Sequence, residues 1–154
     1  MSNKKQISEE ELLSLYAIGV RDFTPYTIDF VVPGAMNLSG VDFREQDLSE
    51  CDISGINLSG ANLRGVGFYQ SDLSGADFSG ADLTDANFGE AFLSETNLTD
   101  AKLTNASFDE GTQLLGCNLT RADFSGVTLN GVLAQGNIYN QTIMPDGTLK
   151  TGDE

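Results

Sequence analysis

A hydrophobic residue returns at every fifth position along most of this chain. Leu38, Phe43, Leu48, Ile53, Leu58, Leu63 and Phe68 carry the beat, and it runs on through Leu73, Phe78, Leu83, Phe88, Leu93, Leu98, Leu103 and Phe108. Two residues before each stands a mostly small or aliphatic side chain, such as Ala61, Ala76, Ala81, Ala86, Ala91, Ala101 or Ala106. A period of five suits neither a helix of 3.6 residues per turn nor a simple two-residue strand. The chain is therefore restricted to a repeat architecture.

Residues 36 to 110 hold fifteen unbroken pentapeptides. The frame then slips by one residue within Asp109–Gln113, and Leu114, Leu119, Phe124 and Leu129 resume the beat. Gly111 can adopt a positive φ and absorb the extra residue as a bulge. The regular repeat fades after Gly131. Thr142–Lys150 contains Pro145-Asp146-Gly147 between two short alternating runs, a turn signal that predicts a terminal hairpin. Ahead of the repeats, residues 8 to 18 read as a short helix. Ser8 with Glu11 three residues on forms a capping-box pattern, and Gly19 is a C-terminal stop. Leu12, Leu15 and Tyr16, flanked by Leu13, form its apolar face. A helix this short is unstable alone, so that face must dock, and the open end of a repeat stack is the acceptor. Phe23 and Ile28 keep the five-residue frame through an irregular stretch, 21–35, that is broken by Pro25 and Pro33. Three segments result: a capping helix over 1–20, repeats over 21–134, and a hairpin tail over 135–154.

Composition narrows the chemistry. The 154 residues form one domain, with 8 Lys and Arg against 23 Asp and Glu, a net charge of -15 and no histidine. That charge repels nucleic acid phosphates and anionic membranes, and it suits solubility or a basic partner. Without histidine the commonest acid-base and metal-binding group is missing, and a Ser-His pairing is impossible. No glycine-rich phosphate loop is present, since the glycines occupy pentapeptide corners. The acidic columns lack the Gly-Gly-x-Gly-x-Asp calcium repeat. No stretch reaches membrane-span length. The basic start, Met1–Gln6, runs into Ser8-Glu9-Glu10-Glu11 rather than an apolar run, so export by a signal peptide is not expected and a cytoplasmic location is. No enzyme activity, metal or other cofactor is expected.

Units such as Ala76-Asp77-Phe78-Ser79-Gly80 and Ala61-Asn62-Leu63-Arg64-Gly65 closely resemble the pentapeptide-repeat family, and the lead-in Leu15–Phe23 resembles that of many members. The resemblance implies an all-β solenoid, a right-handed four-sided β-helix with one pentapeptide per side and twenty residues per coil. It predicts about five coils, an N-terminal capping helix and a hairpin-like tail. In an extended segment the central Leu or Phe and the small residue two before it point the same way, inward, while the Asp or Asn between them points out. Coils stacked at about 4.8 Å then make a rod of roughly 25 Å.

This geometry predicts specific ladders. Phe68, Phe88 and Phe108 should stack, between Leu48 below and Leu129 above. Asn37, Asn57, Asp77, Asn97 and Asn118 should form an outward column. Lys102 should sit between Asp82 and Asp123 and relieve their repulsion. Cys51 and Cys117 both take the small inward position about three coils apart, roughly 14 Å and beyond the ~7 Å reach of a disulfide, so both are expected as buried thiols. The carboxylates are explained by the repeat template, which makes catalysis by an acid pair unneeded.

The candidate interaction surface consists of apolar residues at outward positions. Phe92 takes an Asp/Asn slot, Leu115 follows a central residue one coil later, and Leu133 takes an outward slot in the next coil. Tyr69 is an outward aromatic on the adjoining side. Either the tail, with Ile138, Tyr139 and the hairpin, folds over this stripe, or it meets a protein partner or a second copy. The functional expectation is a scaffold that docks an unidentified protein, as monomer or weak homodimer, without touching nucleic acid or membrane directly. The alternative implied by the resemblance is an acidic mimic of duplex DNA that binds and inhibits or protects a DNA-handling enzyme such as gyrase. The repeat block fits this with three basic and fourteen acidic side chains. Against it, no C-terminal dimerising helix is evident after Gly131.

Overall fold

The computed structural model describes residues 4–29, 36–109 and 111–153. Each pentapeptide makes one short extended piece and one turn. At a representative corner the Leu58 carbonyl accepts from Ala61 N–H at 3.1 Å, and Gly60 sits at φ 64. A bonded turn with a positive φ at its third residue is type II. The extended piece bonds to the coils on both sides: Asn57 N–H donates to Met36 O, and Leu58 N–H donates to Asp77 O, both at 2.8 Å. The pairing is parallel and links each residue to the one twenty later, which generates four columns. Face 1 follows Asn37, Asn57, Asp77, Asn97, Asn118 and Ile138. Face 2 follows Asp22, Asp42, Asn62, Asp82, Lys102, Asp123 and Ile143. Face 3 follows Asp47, Gly67, Asn87, Ser107 and Thr128. Face 4 follows Asp52, Asp72, Phe92 and Gln113, and continues to Leu133 where strand β3 (Gln113–Leu115) pairs with β4 (Leu133–Gln135).

The central residues fill the shaft. Phe68, Phe78, Phe88, Leu93 and Leu98 are fully buried. The phenylalanine ladder forms on face 3, with ring centroids 5.2 Å apart from Phe68 to Phe88 and 4.9 Å from Phe88 to Phe108, both stacked. Leu48 is buried below it, and Leu129 at the upper end is only partly covered. The small inward slot admits polar side chains under one rule. Each donates to the carbonyl of the central residue in the coil below: Ser71 to Leu48, Thr96 to Leu73, Thr112 to Phe88 and Thr142 to Leu119. Gln46 and Asn137 do the same with amide groups, to Phe23 and Leu114. Buried donors are thus satisfied without a side-chain partner.

The one-residue slip is visible in the columns. The spacing rises to 21 between Phe92 and Gln113, Asn97 and Asn118, Lys102 and Asp123, and Ser107 and Thr128, and it returns to 20 between Gln113 and Leu133. Gly111 absorbs it at φ 102; Glu110 lies outside the described residues.

At the N-terminus, helix α1 (Glu9–Ala17) starts from a capping box. Glu11 N–H donates to Ser8 Oγ at 3.3 Å, and Ser8 N–H donates to Glu11 Oε2 at 3.0 Å. It ends in a Schellman motif, with Gly19 N–H on Tyr16 O and Val20 N–H on Leu15 O, both at 3.0 Å. Leu12 is buried, and Tyr16 Oη donates to Ser39 O at 2.8 Å, which ties the helix to the first coil. The helix is not the first element, as the sequence suggested. Strand β1 (Lys5–Ser8) precedes it and pairs in parallel with β2 (Tyr26–Asp29). Four residues with one buried position, Ile7, gave no periodic signal for that strand. The frame residues Phe23 and Ile28 are both buried, and the irregular remainder, 30–35, lies outside the described residues.

The C-terminal boundary also moves. The expected end of the repeats at 134 is too early, because Asn118 pairs with Ile138 and Asp123 with Ile143. The column from Asp22 to Ile143 therefore has seven rungs, more than about five coils supply. The beat was hidden because Ala134, Tyr139 and Met144 replace Leu or Phe at the central slot. Strand β5 (Ile138–Ile143) forms this last coil, and β6 (Leu149–Asp153) returns antiparallel along it. The hairpin thus covers the upper edge of faces 1 and 2, not the apolar stripe on face 4. Lys150 closes the hairpin against the Tyr139 ring, 3.8 Å from its centroid.

Candidate functional site

The outward slot has a structural use that sets its chemistry. Asp52 Oδ1 accepts from Ser54 N–H at 3.1 Å, and Asp72 Oδ1 from Ser74 N–H at 2.9 Å. The same Asx turn recurs at Asn37, Asp77, Asp123 and elsewhere. An Asp or Asn there replaces water at a turn N–H. Its carboxylate is thereby committed to the backbone, which accounts for the acidic columns without catalysis. Asp82 shows the electrostatic result: burial works to raise its pKa, but bonds from Thr84 and the charges of Arg64 and Lys102 outweigh it and hold the group low. Lys102 does stand between Asp82 and Asp123.

Phe92 and Leu133 cannot make that bond. Each gives up a turn contact and leaves an apolar side chain 42% and 45% exposed. They share the face 4 column with Gln113 between them, and half-buried Leu115 lies two residues along β3 from Gln113. The three residues are therefore brought onto one face. Asp52 and Asp72 continue the column toward the N-terminus, and Glu95 marks a corner beside Phe92. The result is a stripe that is apolar at the C-terminal end and acidic at the other.

Tyr69 does not join the stripe. It is half-buried, and its Oη donates to Glu90 Oε1 at 2.8 Å. That bond raises the tyrosine pKa, while bonds from Gln70 and then Tyr69 lower that of Glu90. A Cβ on Gly89 would come within 3.1 Å of the Tyr69 ring and 2.8 Å of Asp109 Oδ2, so the ring lies close over the backbone there. Tyr69 is a strut across neighbouring coils, and sequence spacing alone held no sign of it.

Cys117 is buried and donates its thiol to Leu93 O at 2.7 Å, in line with the rule for polar inward residues. Desolvation pushes its pKa up to about 12, which leaves it an inert thiol. Cys51 departs from expectation: it is only half-buried, in one of the lower coils. Among the described residues no group of histidine, cysteine and carboxylate side chains could hold a metal ion, and no helix is long and apolar enough to cross a membrane.

Comparison with known proteins agrees with this geometry. Pentapeptide repeats, in eight copies, match residues 35–65, 68–100, 76–110 and 93–133. Among solved structures, alr5209, a pentapeptide repeat protein from Nostoc PCC 7120, is 32% identical with a TM-score of 0.53, over 86% of this chain and 99% of that one. Rfr23 from the cyanobacterium Cyanothece 51142 is 24% identical with a TM-score of 0.52, over 83% of this chain and 92% of that one. AT2G44920, a pentapeptide repeat protein from the Arabidopsis thaliana thylakoid lumen, is 29% identical with a TM-score of 0.48, over 71% of this chain and 68% of that one. No curated protein matches in sequence. The neighbours imply a right-handed coil, and proteins of this kind are generally structural or interaction modules. By its repeats and by the i-to-i+20 stacking they produce, this chain belongs to the pentapeptide-repeat family.

Proposed function

We propose that this chain is a non-enzymatic scaffold that docks a protein partner on face 4. The observation that carries this reading is the replacement of the Asx-turn residue by Phe92 and Leu133 in a single column. An apolar residue at that slot weakens the turn and exposes hydrocarbon, so folding alone gives it no advantage. Clustered exposed apolar groups with a polar rim are the mark of a contact surface. The acidic lower half of the face favours a partner with basic residues flanking its apolar anchor. The test compares pull-downs from lysate of the source organism by wild type, Phe92→Asp and Leu133→Asp. A protein held by wild type and lost from both variants supports the reading. Equal retention by all three, or no retention at all, refutes it.

A second reading has its own observation. Glu45, Glu50, Asp85, Glu90, Glu95 and Asp100 occupy corners at φ 53 to 61, where glycine is relaxed and an acid is strained. Acids held at a conformational cost support a surface whose negative charge is used, as in a mimic of duplex DNA. Inhibition of gyrase supercoiling by excess protein, relieved when these corners become glycine, supports it; unaltered supercoiling refutes it.

A further inference from the structure

One corner of the rod is held less firmly than the rest, in both backbone and side chain. Asn130 and Gly131 form the last corner of face 3, and both are exposed. They are the one Asn-Gly pair in the chain. In lower coils of this face the corner N–H is tied to the coil above, as Glu50 N–H to Tyr69 O at 2.8 Å and Gln70 N–H to Gly89 O at 2.9 Å. Among the described residues nothing accepts the Gly131 N–H. The turn is closed by Val132 N–H on Leu129 O at 3.4 Å, against 2.8 Å at Ala106 and 3.0 Å at Val127. The Asn130 amide is equally free. Asn37, Asn57 and Asn97 commit their oxygens to turn N–H groups, and Asn137 bonds both Cys117 N–H and Leu114 O. No described group bonds the Asn130 side chain.

An unbonded amide carbonyl beside an unbonded backbone N–H is the reacting pair of asparagine deamidation. Glycine favours the reaction, because no Cβ shields the attacking nitrogen and the backbone reaches conformations closed to other residues. A closed type II turn does not align the two groups, so the reaction starts from an opened corner. Opening is easiest where bonds are few, exposed and not backed by a further coil. The other glycine-followed candidate, Asp146–Gly147, is locked by comparison. Gly147 N–H donates to Met144 O at 2.8 Å, and Asp146 Oδ1 accepts from the Thr148 N–H at 3.0 Å and from its hydroxyl at 2.6 Å. The hydroxyl first and then the N–H lower the Asp146 pKa, and an ionised carboxylate is a poor electrophile.

We propose that Asn130 is a self-modification site: in the folded protein its side chain cyclises onto Gly131 and then hydrolyses to aspartate and isoaspartate. Hydroxide takes the Gly131 N–H proton, and the nitrogen forms a bond to Asn130 Cγ. The Cγ–Nδ2 bond breaks, and the amide nitrogen leaves as ammonia with a proton from water, which restores the hydroxide. Water then opens the cyclic imide. Breaking its N–Cγ bond leaves aspartate, and breaking its bond from N to the main-chain carbonyl carbon leaves isoaspartate. Nothing is oxidised or reduced. From Phe124 to Pro145 no side chain carries a charge, so either product places a carboxylate in an uncharged run, just ahead of β4. Isoaspartate also leads the main chain through the side-chain carbons, which inserts one more carbon into the Leu129–Val132 turn.

The test incubates the folded chain in mildly alkaline buffer, digests it with trypsin and sequences the fragment Ala122–Lys150 by mass spectrometry. Deamidation at position 130 should outpace that at Asn137, in the same fragment, by more than about tenfold, because the Asn130 corner opens more readily. Aspartate and isoaspartate should both form, since the imide opens on either side. A protein isoaspartyl methyltransferase should label the aged protein. Asn130→Gln, whose longer side chain has to close a larger ring, should abolish the label. Four results overturn the proposal: an excess over Asn137 below that margin, reaction only in urea-unfolded protein, aspartate without isoaspartate, or a label that persists in Asn130→Gln.

Discussion

At the scale of single residues, three positions of the pentapeptide are set by different physics. The central residue is set by burial in a shaft one side chain wide. Phe88 is stacked between Phe68 and Phe108, so its loss leaves a void that the two neighbouring coils cannot close. Phe88→Ala should destabilise the fold by about 3–5 kcal/mol in urea unfolding; a loss near zero would mean the ring is not enclosed. The outward residue is set by the Asx turn. The corner residue is set by a positive φ, and here the chain departs from its own optimum. Glu50 sits at φ 59. Glu50→Gly should raise stability by up to about 1 kcal/mol, the relief of left-handed strain less the extra unfolded-state freedom of glycine. A fall in the unfolding midpoint would show that the carboxylate earns more than its backbone strain costs.

At the scale of elements, what could be read from the sequence depended on whether position or contact defined the feature. The repeat frame, the slip, the phenylalanine ladder and the capping box are matters of spacing, and all four appear in the structure. The last coil was hidden because Ala134 and Tyr139 interrupt the Leu/Phe beat, although Asn137 and Thr142 still obey the inward-donor rule. Strand β1 gave too short a signal because its pairing with β2 is formed across the intervening helix. Face 4 was legible as a column, since Phe92 and Leu133 break the template. The Tyr69–Glu90 strut and the untied corner at Gly131 depend on side-chain reach and on where β6 turns back, which no periodicity encodes. The helix cap yields a prediction at this scale. Ser8→Ala removes an acceptor for Glu11 N–H and should cost about 1 kcal/mol. Because α1 buries Leu12 and is tied to Ser39 through Tyr16, amide exchange near Phe23 and Leu38 should quicken with it, while exchange near Leu98 stays unchanged.

At the scale of the whole molecule, the charge is large, and several of its carboxylates are held by turn N–H groups or by neighbouring side chains. The Thr24 hydroxyl lowers the pKa of Asp22, Arg121 lowers that of Asp100, and Gln70 lowers that of Glu90. A carboxylate whose pKa is lowered by folding adds stability above its unfolded value of about 4, and that stability is lost as pH falls through the folded value. Thermal midpoints should therefore hold from pH 7 to about 5 and fall below about 4. A midpoint that rises on acidification would show that relief of mutual repulsion outweighs the lost turn bonds. The stacking of coils also means that each unit is stabilised by its neighbours rather than by itself. All of this rests on every fifth hydrophobe entering a shaft in which equivalents recur after twenty residues. Nuclear Overhauser contacts among the phenylalanine rings test that most directly. The account predicts strong contacts from Phe68 to Phe88 and from Phe88 to Phe108, with none between Phe68 and Phe108; rings that contact only sequence neighbours, or none of the three pairs, would contradict it.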